Sequence, residues 1–314
     1  MFNRVQCHRG WLLVSLVPLL SAAGTAAAQT LSSGPHFIGP LATGAPPLPK
    51  GAGNIEPYLV NTHVRSVFDD DGDRHAQSAP PNLSAIIPVT YGLTDKLTLG
   101  ATLRGQYDRG DNAVAPGDTT VSAQYGLYDS AAENRLRLHA SIRQTLDTGR
   151  YDQLGSRDGT GSGARPTSLG VGAQAYYLDG QLRARAGASW RLPGSHADVR
   201  GRSVYGTSTG FVGRARLGSS LTVTGSMEYS IAPQWTLVGE AMFERSEGTR
   251  VNGTDGQGRA VAMQGLNSWR ASVLPAVQYH FSDKVGMIAG VQCALAGRNT
   301  AAIVAPQVAV NVAF

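Results

Sequence analysis

The sequence predicts an all-β chain, an up-and-down antiparallel barrel of about twelve strands, on three observations. Apolar and polar residues alternate with a period of two from about residue 54 to the end, and no helical 3.6-residue pattern of any length interrupts them. Tight and long connections take turns along the chain. The composition suits a turn-rich β protein: of 314 residues 39 are Gly and 16 are Pro, 42% are hydrophobic and only 16% are charged, against about 25% charged in soluble domains. Beyond the first residues no apolar run approaches the roughly 20 that a spanning helix needs, which excludes a helical membrane bundle.

Residues 1–28 read as a secretory signal peptide. Arg4 and Arg9 precede the apolar run 11–20, too short to span a bilayer, and Ala26, Ala27 and Ala28 supply a small-residue cleavage site. Cys7 lies ahead of that run, which excludes lipoprotein acylation. Removing a segment with two positive charges takes the net charge from +5 to +3 and leaves Cys293 as the sole cysteine, so no internal disulfide is expected. The basic charge is spread along an exported chain without a cluster, which argues against nucleic acid.

Residues 29–53, dense in Gly and Pro, read as an irregular periplasmic lead-in, and 54–314 as the barrel. Strands are expected at 54–68, 82–92, 96–107, 119–129, 135–146, 167–178, 181–192, 219–231, 235–246, 267–281, 285–296 and 302–314. The alternation is clearest in 267–281, where Trp269, Ala271, Val273, Val277 and Tyr279 share one face and Ser268, Arg270, Ser272, Gln278 and His280 the other. Tight connections follow the even strands. The odd ones lead into 69–81, 108–118, 147–166, 193–218 and 247–266, and only the last, 297–301, is short. Pro88, Pro275 and Pro306 sit inside strands, where each removes a ladder donor. Strand 54–68 is poorly patterned, since Tyr58, Leu59 and Val60 are apolar on both faces.

Long loops on one side and tight turns on the other predict a transmembrane barrel of the bacterial outer membrane. A soluble sandwich or lipocalin-like barrel would also alternate, but twelve apolar faces pointing inward would overfill its core. Aromatic placement agrees with lipid. Tyr107, Trp190, Phe243 and Trp269 fall at the outer rim. Tyr91, Tyr177, Tyr229, Trp235, Tyr279, Phe281 and Phe314 fall at the periplasmic rim, and only Tyr125 fits neither. An alternating last strand ending in Phe314 resembles the signal read by the barrel-assembly machinery. The other expected partners are outer-membrane lipid, lipopolysaccharide and a small-molecule solute.

A charge facing lipid at mid-depth costs about 2–4 kcal/mol, so charged strand residues should face the lumen. Parity places there Glu56, Arg104, Arg135, Arg137, His139, Arg143, Arg183, Arg185, Arg191, Glu228, Glu240, Glu244, Arg270 and His280. They form either an Arg–Glu network that stiffens the barrel or a selectivity lining. Twelve tilted strands leave a lumen of about 12 Å inside the side chains, wide enough for a small solute or for a plug formed by the lead-in or a loop.

No enzyme is expected. HExxH, CxxC and GxxxxGK are absent from the sequence. Gly206–Gly210 matches GxSxG without the strand-to-helix elbow that gives the motif meaning. Outer-membrane phospholipases also have twelve strands, but no convincing Ser–His dyad can be built. Asp69, Asp70, Asp71 and Asp73 surround Gly72, yet Arg74 stands where an EF-hand loop needs Gly, so neither a metal nor a cofactor is expected.

Three stretches, 47–58, Tyr91 to Gly100 with its Asp95 turn, and Val291 to Arg298 followed by the close on Phe314, resemble the meta-pathway phenol-degradation family of outer-membrane proteins, also called transporters. The resemblance covers nearly all of the mature chain. It implies an outer-membrane channel for aromatic or other small hydrophobic compounds and defines no catalytic residues. The other reading is a closed structural or adhesive barrel acting through loops 147–166 and 193–218.

Overall fold

A computed structural model describes residues 45–130 and 135–314. The signal peptide and the first part of the lead-in lie outside the described residues. Among those described, the elements in chain order are β1 (Gly53–Ile55), β2 (Tyr58–Phe68), β3 (Arg74–Thr94), β4 (Leu97–Asp108), β5 (Ala113–Pro116) and β6 (Thr119–Asp129). Next come β7 (Arg137–Leu146), β8 (Thr167–Tyr177), β9 (Leu182–Arg191), β10 (His196–Arg200), β11 (Val212–Arg216) and β12 (Ser220–Ala232). The last six are β13 (Trp235–Ser246), β14 (Arg250–Thr254), β15 (Ala260–Gln264), β16 (Ser268–His280), β17 (Val285–Arg298) and β18 (Thr300–Ala313).

Twelve of these close into one antiparallel barrel in the order β2-β3-β4-β6-β7-β8-β9-β12-β13-β16-β17-β18, with β18 returning to β2. Closure removes every free edge, the condition for a sheet to cross a membrane. At the periplasmic end β1 pairs with both β3 and β18. Gly53 and Phe314 exchange backbone hydrogen bonds of 2.8 and 2.9 Å, and the Phe314 ring fills the space that a Cβ at Gly53 would take.

The faces follow the pleat. Leu59, Leu103, Ile142, Val171 and Leu237 point outward and are 48–60% exposed on the isolated chain. That is the apolar band a barrel turns to lipid. Their neighbours Thr98, His139, Gln174, Thr224 and Gln278 point inward and are buried. A bulge at 126–128 breaks the parity of β6. Tyr125 and Tyr128, on either side of it, therefore both face outward.

Strand positions agree with the sequence, with two differences at the extracellular side. β3 begins at Arg74, so the long loop expected at 69–81 shrinks to 69–73. β17 and β18 meet at Asn299 alone, in the left-handed conformation at φ 51°. The start of β3, Arg74 to Pro81, pairs with β2 above the bilayer. No lipid selects an apolar face there, so the period-two signal is missing. For the same reason a separate four-stranded sheet, β10-β11-β14-β15, was not visible in the regions expected as loops. β10 and β11 belong to 193–218, and β14 and β15 to 247–266. Their inner face packs Ala197, Val199, Ala215 and Val251 against Phe211 and Ala164.

The barrel wall and this sheet change face where they join. On β12 and β13 the even-numbered residues point inward. On β11 and β14 the odd-numbered ones are packed. The switch occurs beside Gly248, where a Cβ would collide with the carbonyl of Gly265.

Candidate functional site

The barrel interior has two unlike halves. One is filled. Arg183 and Arg185 on β9 face Glu228 on β12 through the register Arg183↔Glu228 and Arg185↔Ser226. Arg183 Nε donates to Glu228 Oε2 at 2.8 Å, and Arg185 Nη2 to Glu228 Oε1 at 2.6 Å. Ser226 donates to the same carboxylate at 3.1 Å. Glu240 on β13 lies 3.8 Å from Arg185. Glu56 reaches this cluster from the other side of the lumen, accepting a 2.6 Å hydrogen bond from the Tyr58 hydroxyl. The Tyr58 ring packs on Val238, Ile288 and Ala309. The apolar second face of β2 is thereby explained, because Tyr58 and Val60 point into an interior that is locally apolar.

The other half is hollow. A cavity of about 450 Å³ runs along β3, β4, β6 and β7, lined by Thr98, Thr102, Thr120, Ser122, Gln124 and Ser141, with Arg104 and Arg143 among them. Arg104 is exposed although it lines this cavity, so water has access to it. The lead-in enters the same space. Ala45, Pro46 and Leu48 line the cavity, Gln124 donates to the Ala45 carbonyl, and the Leu48 amide donates to Thr98 Oγ1 at 2.7 Å.

The remaining residues expected in the lumen are distributed around these halves. His139 is buried against Gly172, where a Cβ would meet its ring. His280 is buried with its Nε2 3.2 Å from Thr236 Oγ1. Arg191 donates to the Gly218 carbonyl at 3.1 Å. Glu244 and Arg270 face each other across β13 and β16 at 2.5 Å. Arg137 lies at the periplasmic end of β7, 2.9 Å from Asp129. Arg135 is a correction: it precedes β7, is exposed and has φ 41°, so it belongs to the turn and not to the lumen. The sequence expectation also overlooked inward Val238, Leu274 and Ile288. Leu274 lies two residues from Ser272 on the polar face of its strand, so parity could have found it.

Above the lumen, 147–166 is tied down at both ends of the β5 hairpin. Asp108 accepts from the amides of Gly110 at 2.8 Å and Asp158 at 3.0 Å, and pairs with Arg150 at 2.9 Å. Those bonds, the Asp158 amide foremost, hold the Asp108 carboxyl below the usual range. Asp118 accepts from the Gly149 and Ser162 amides at 3.0 and 2.7 Å. Tyr205 donates to the Ser162 carbonyl, and burial pushes its phenol up to about 12. Gly206 and Ser208 lie in turns between β10 and β11 and lead into no helix. Two carboxylates of the acidic run at 69–73 are engaged by protein groups: Asp69 lies 2.5 Å from His75, and Asp70 2.8 Å from Arg298.

The aromatic residues flank the apolar band on the outer surface. Phe243 stacks on Trp269 at 6.0 Å toward the loops, where Tyr107 and Trp190 also sit. Trp235, Tyr279 and Phe281 form an edge-to-face row toward the turns, with centroids 4.7 and 4.9 Å apart. Tyr91, Tyr177, Tyr229 and Phe314 are exposed at the same end.

A closed barrel of twelve strands with an apolar exterior, aromatic rims and a polar interior is a transmembrane barrel of the bacterial outer membrane. Among solved structures it is similar to an outer membrane channel from Pseudomonas putida F1, with a TM-score of 0.66 and 17% identity over 88% of this chain and 100% of that one. Weaker likenesses reach the TodX monoaromatic hydrocarbon channel (TM-score 0.43, 14% identity, 85% and 90% covered) and the KdgM porin (TM-score 0.41, 9% identity, 82% and 99% covered). No family model matches the chain, and neither does any curated protein. The likeness to the first of these structures is one of fold.

Proposed function

We propose that the barrel is a passive outer-membrane channel for small solutes, with small anions, aromatic acids among them, as its preferred cargo. The observation that carries this reading is the water-accessible, hydroxyl-lined cavity beside the filled half of the lumen, with Arg104 and Arg143 on its wall. Hydroxyls exchange hydrogen bonds with a passing polar solute, and guanidinium groups bind carboxylates in a bidentate fork. The resemblance to the phenol-degradation family favours an aromatic body on such a solute, and the polar wall favours one that carries a charged group over a bare hydrocarbon. Planar-bilayer recording of the refolded mature chain tests the reading. The expected result is discrete conductance, a reversal potential on the anion-selective side in a salt gradient, and a shift toward zero in Arg104→Gln/Arg143→Gln. A correctly folded but silent barrel overturns it.

The adhesive reading draws support from the folded extracellular sheet, which has its own core. If removing β10–β11 and β14–β15 leaves conductance intact and abolishes surface attachment, adhesion is the function of the loops.

A further inference from the structure

The extracellular sheet has two faces of opposite character. Opposite the packed face lie His196, Asp198, Arg200, Arg214, Arg216 and Arg250, all exposed, around an open groove of about 760 Å³. The register gathers them: Arg216 stands between His196 and Arg250, and Arg214 is opposite Asp198. Four guanidinium groups therefore share one surface with a single carboxylate, and Arg214 holds that carboxylate at 2.9 Å. Among the described residues, no carboxylate lies within ion-pair distance of Arg200, Arg216 or Arg250. A surface needing only solubility would intersperse the signs.

The packed face of the sheet lies against Ala164 and Tyr151 of the segment 147–166, which is held above the lumen, and Tyr205 on the same face donates to the Ser162 carbonyl of that segment. The packed face is thus turned toward the lumen and the arginine face away from it, over the surrounding leaflet. Below the arginine face a second groove is lined by Phe243, Leu266, Trp269, Arg245 and the Asp70–Arg298 pair. It combines the aromatic rim with one further guanidinium group, Arg245, that no carboxylate among the described residues holds at ion-pair distance. Apolar walls beneath and cations above match a lipid whose acyl chains lie on the barrel and whose anionic groups stand just beyond the interface. A soluble polyanion would make no use of the apolar walls.

We propose that this face binds the phosphate groups of lipopolysaccharide in the outer leaflet. Planar guanidinium forks suit phosphate oxygens; Arg200 and Arg216 offer theirs, and Arg250, whose Nε donates to Gln264 Oε1 at 2.8 Å and which lines the adjoining groove with Glu247, offers its terminal nitrogens. The site is independent of conduction, since none of its residues lines the cavity.

Binding of fluorescent diphosphoryl lipid A to the mature chain in detergent micelles tests the proposal. The wild-type chain is expected to bind it at least tenfold more tightly than dephosphorylated lipid A, a comparison that needs no variant. Arg200→Gln/Arg216→Gln/Arg250→Gln is expected to lose roughly tenfold or more in affinity, each factor of ten being about 1.4 kcal/mol. Its folding is checked by the mobility shift on heating in detergent gels. Arg259→Gln, in the β14–β15 turn, should bind as wild type. Equal affinity for the dephosphorylated lipid, an unchanged affinity in a folded triple variant, full displacement by equimolar inorganic phosphate, or capture of heparin in preference to lipid A would each overturn it.

Discussion

Glu228 is fully buried and holds two arginines at once. Replacing it with Gln leaves two buried guanidinium groups short of a counter-charge, a change that costs on the order of 3 kcal/mol where water is excluded. Urea midpoints in detergent should therefore fall for Glu228→Gln, and also for Glu240→Gln, a buried carboxylate 3.8 Å from Arg185. Glu240→Gln should exceed Asp70→Asn, because Asp70 and Arg298 are largely in water. Asp108 acts outside the bilayer. Its carboxyl is held below the ordinary range, so its contribution is present above that range and disappears as pH falls through the lowered value. Pepsin should nick 147–166 increasingly below about pH 4. Asp108→Asn should be nicked roughly tenfold faster already at pH 5, since a neutral amide accepts the same amides less strongly. Equal nicking of the two proteins at pH 5 would show that the loop is anchored elsewhere. The charged members of the interior were legible from parity, except that parity wrongly added Arg135, which lies in a turn. Their partners were not, because pairing across a barrel depends on which strands become neighbours and at what stagger.

At the scale of strands, the sequence was readable where lipid imposes a rule and silent where it does not. The long strands alternate because one face meets acyl chains. β5, β10, β11, β14 and β15 stand in water and are too short to establish a period. Bulges add to the loss. The extra residue at 126–128 moves Tyr128 to the outside, and no single-residue signal announces it. Gly172 shows how an element accommodates a lumen side chain. It stands opposite His139 across β7 and β8, and its missing side chain is the space that the imidazole fills. Gly172→Val should destabilise the barrel by about 1–3 kcal/mol through overpacking. Adding His139→Ala should restore most of it. If the double variant is no more stable than Gly172→Val, the strand and not the ring is what the substitution disturbs.

At the scale of the molecule, one half of the lumen is filled by charge pairs and the other is a cavity that the lead-in enters. Width alone could not reveal this division, since twelve strands allow either filling or flow. The lead-in is held in the cavity by two hydrogen bonds, one from Gln124 and one to Thr98. Removing residues 29–49 should raise single-channel conductance while leaving the gel mobility shift unchanged. An unaltered conductance would mean that the lead-in does not limit the path.

Every pair of neighbouring barrel strands but one is consecutive along the chain, with no other barrel strand between them. The exception is β2 with β18, which meet across the full length of the sequence. Loop entropy delays such a contact until the local hairpins exist. The seam is thus a property of where the chain is cut and not of the residues that meet there. In a circular permutant with a two-residue turn joining Phe314 to Gly53 and new termini between Asp179 and Gly180, the strands last to gain protection in pulsed hydrogen exchange should move from β2 and β18 to β8 and β9.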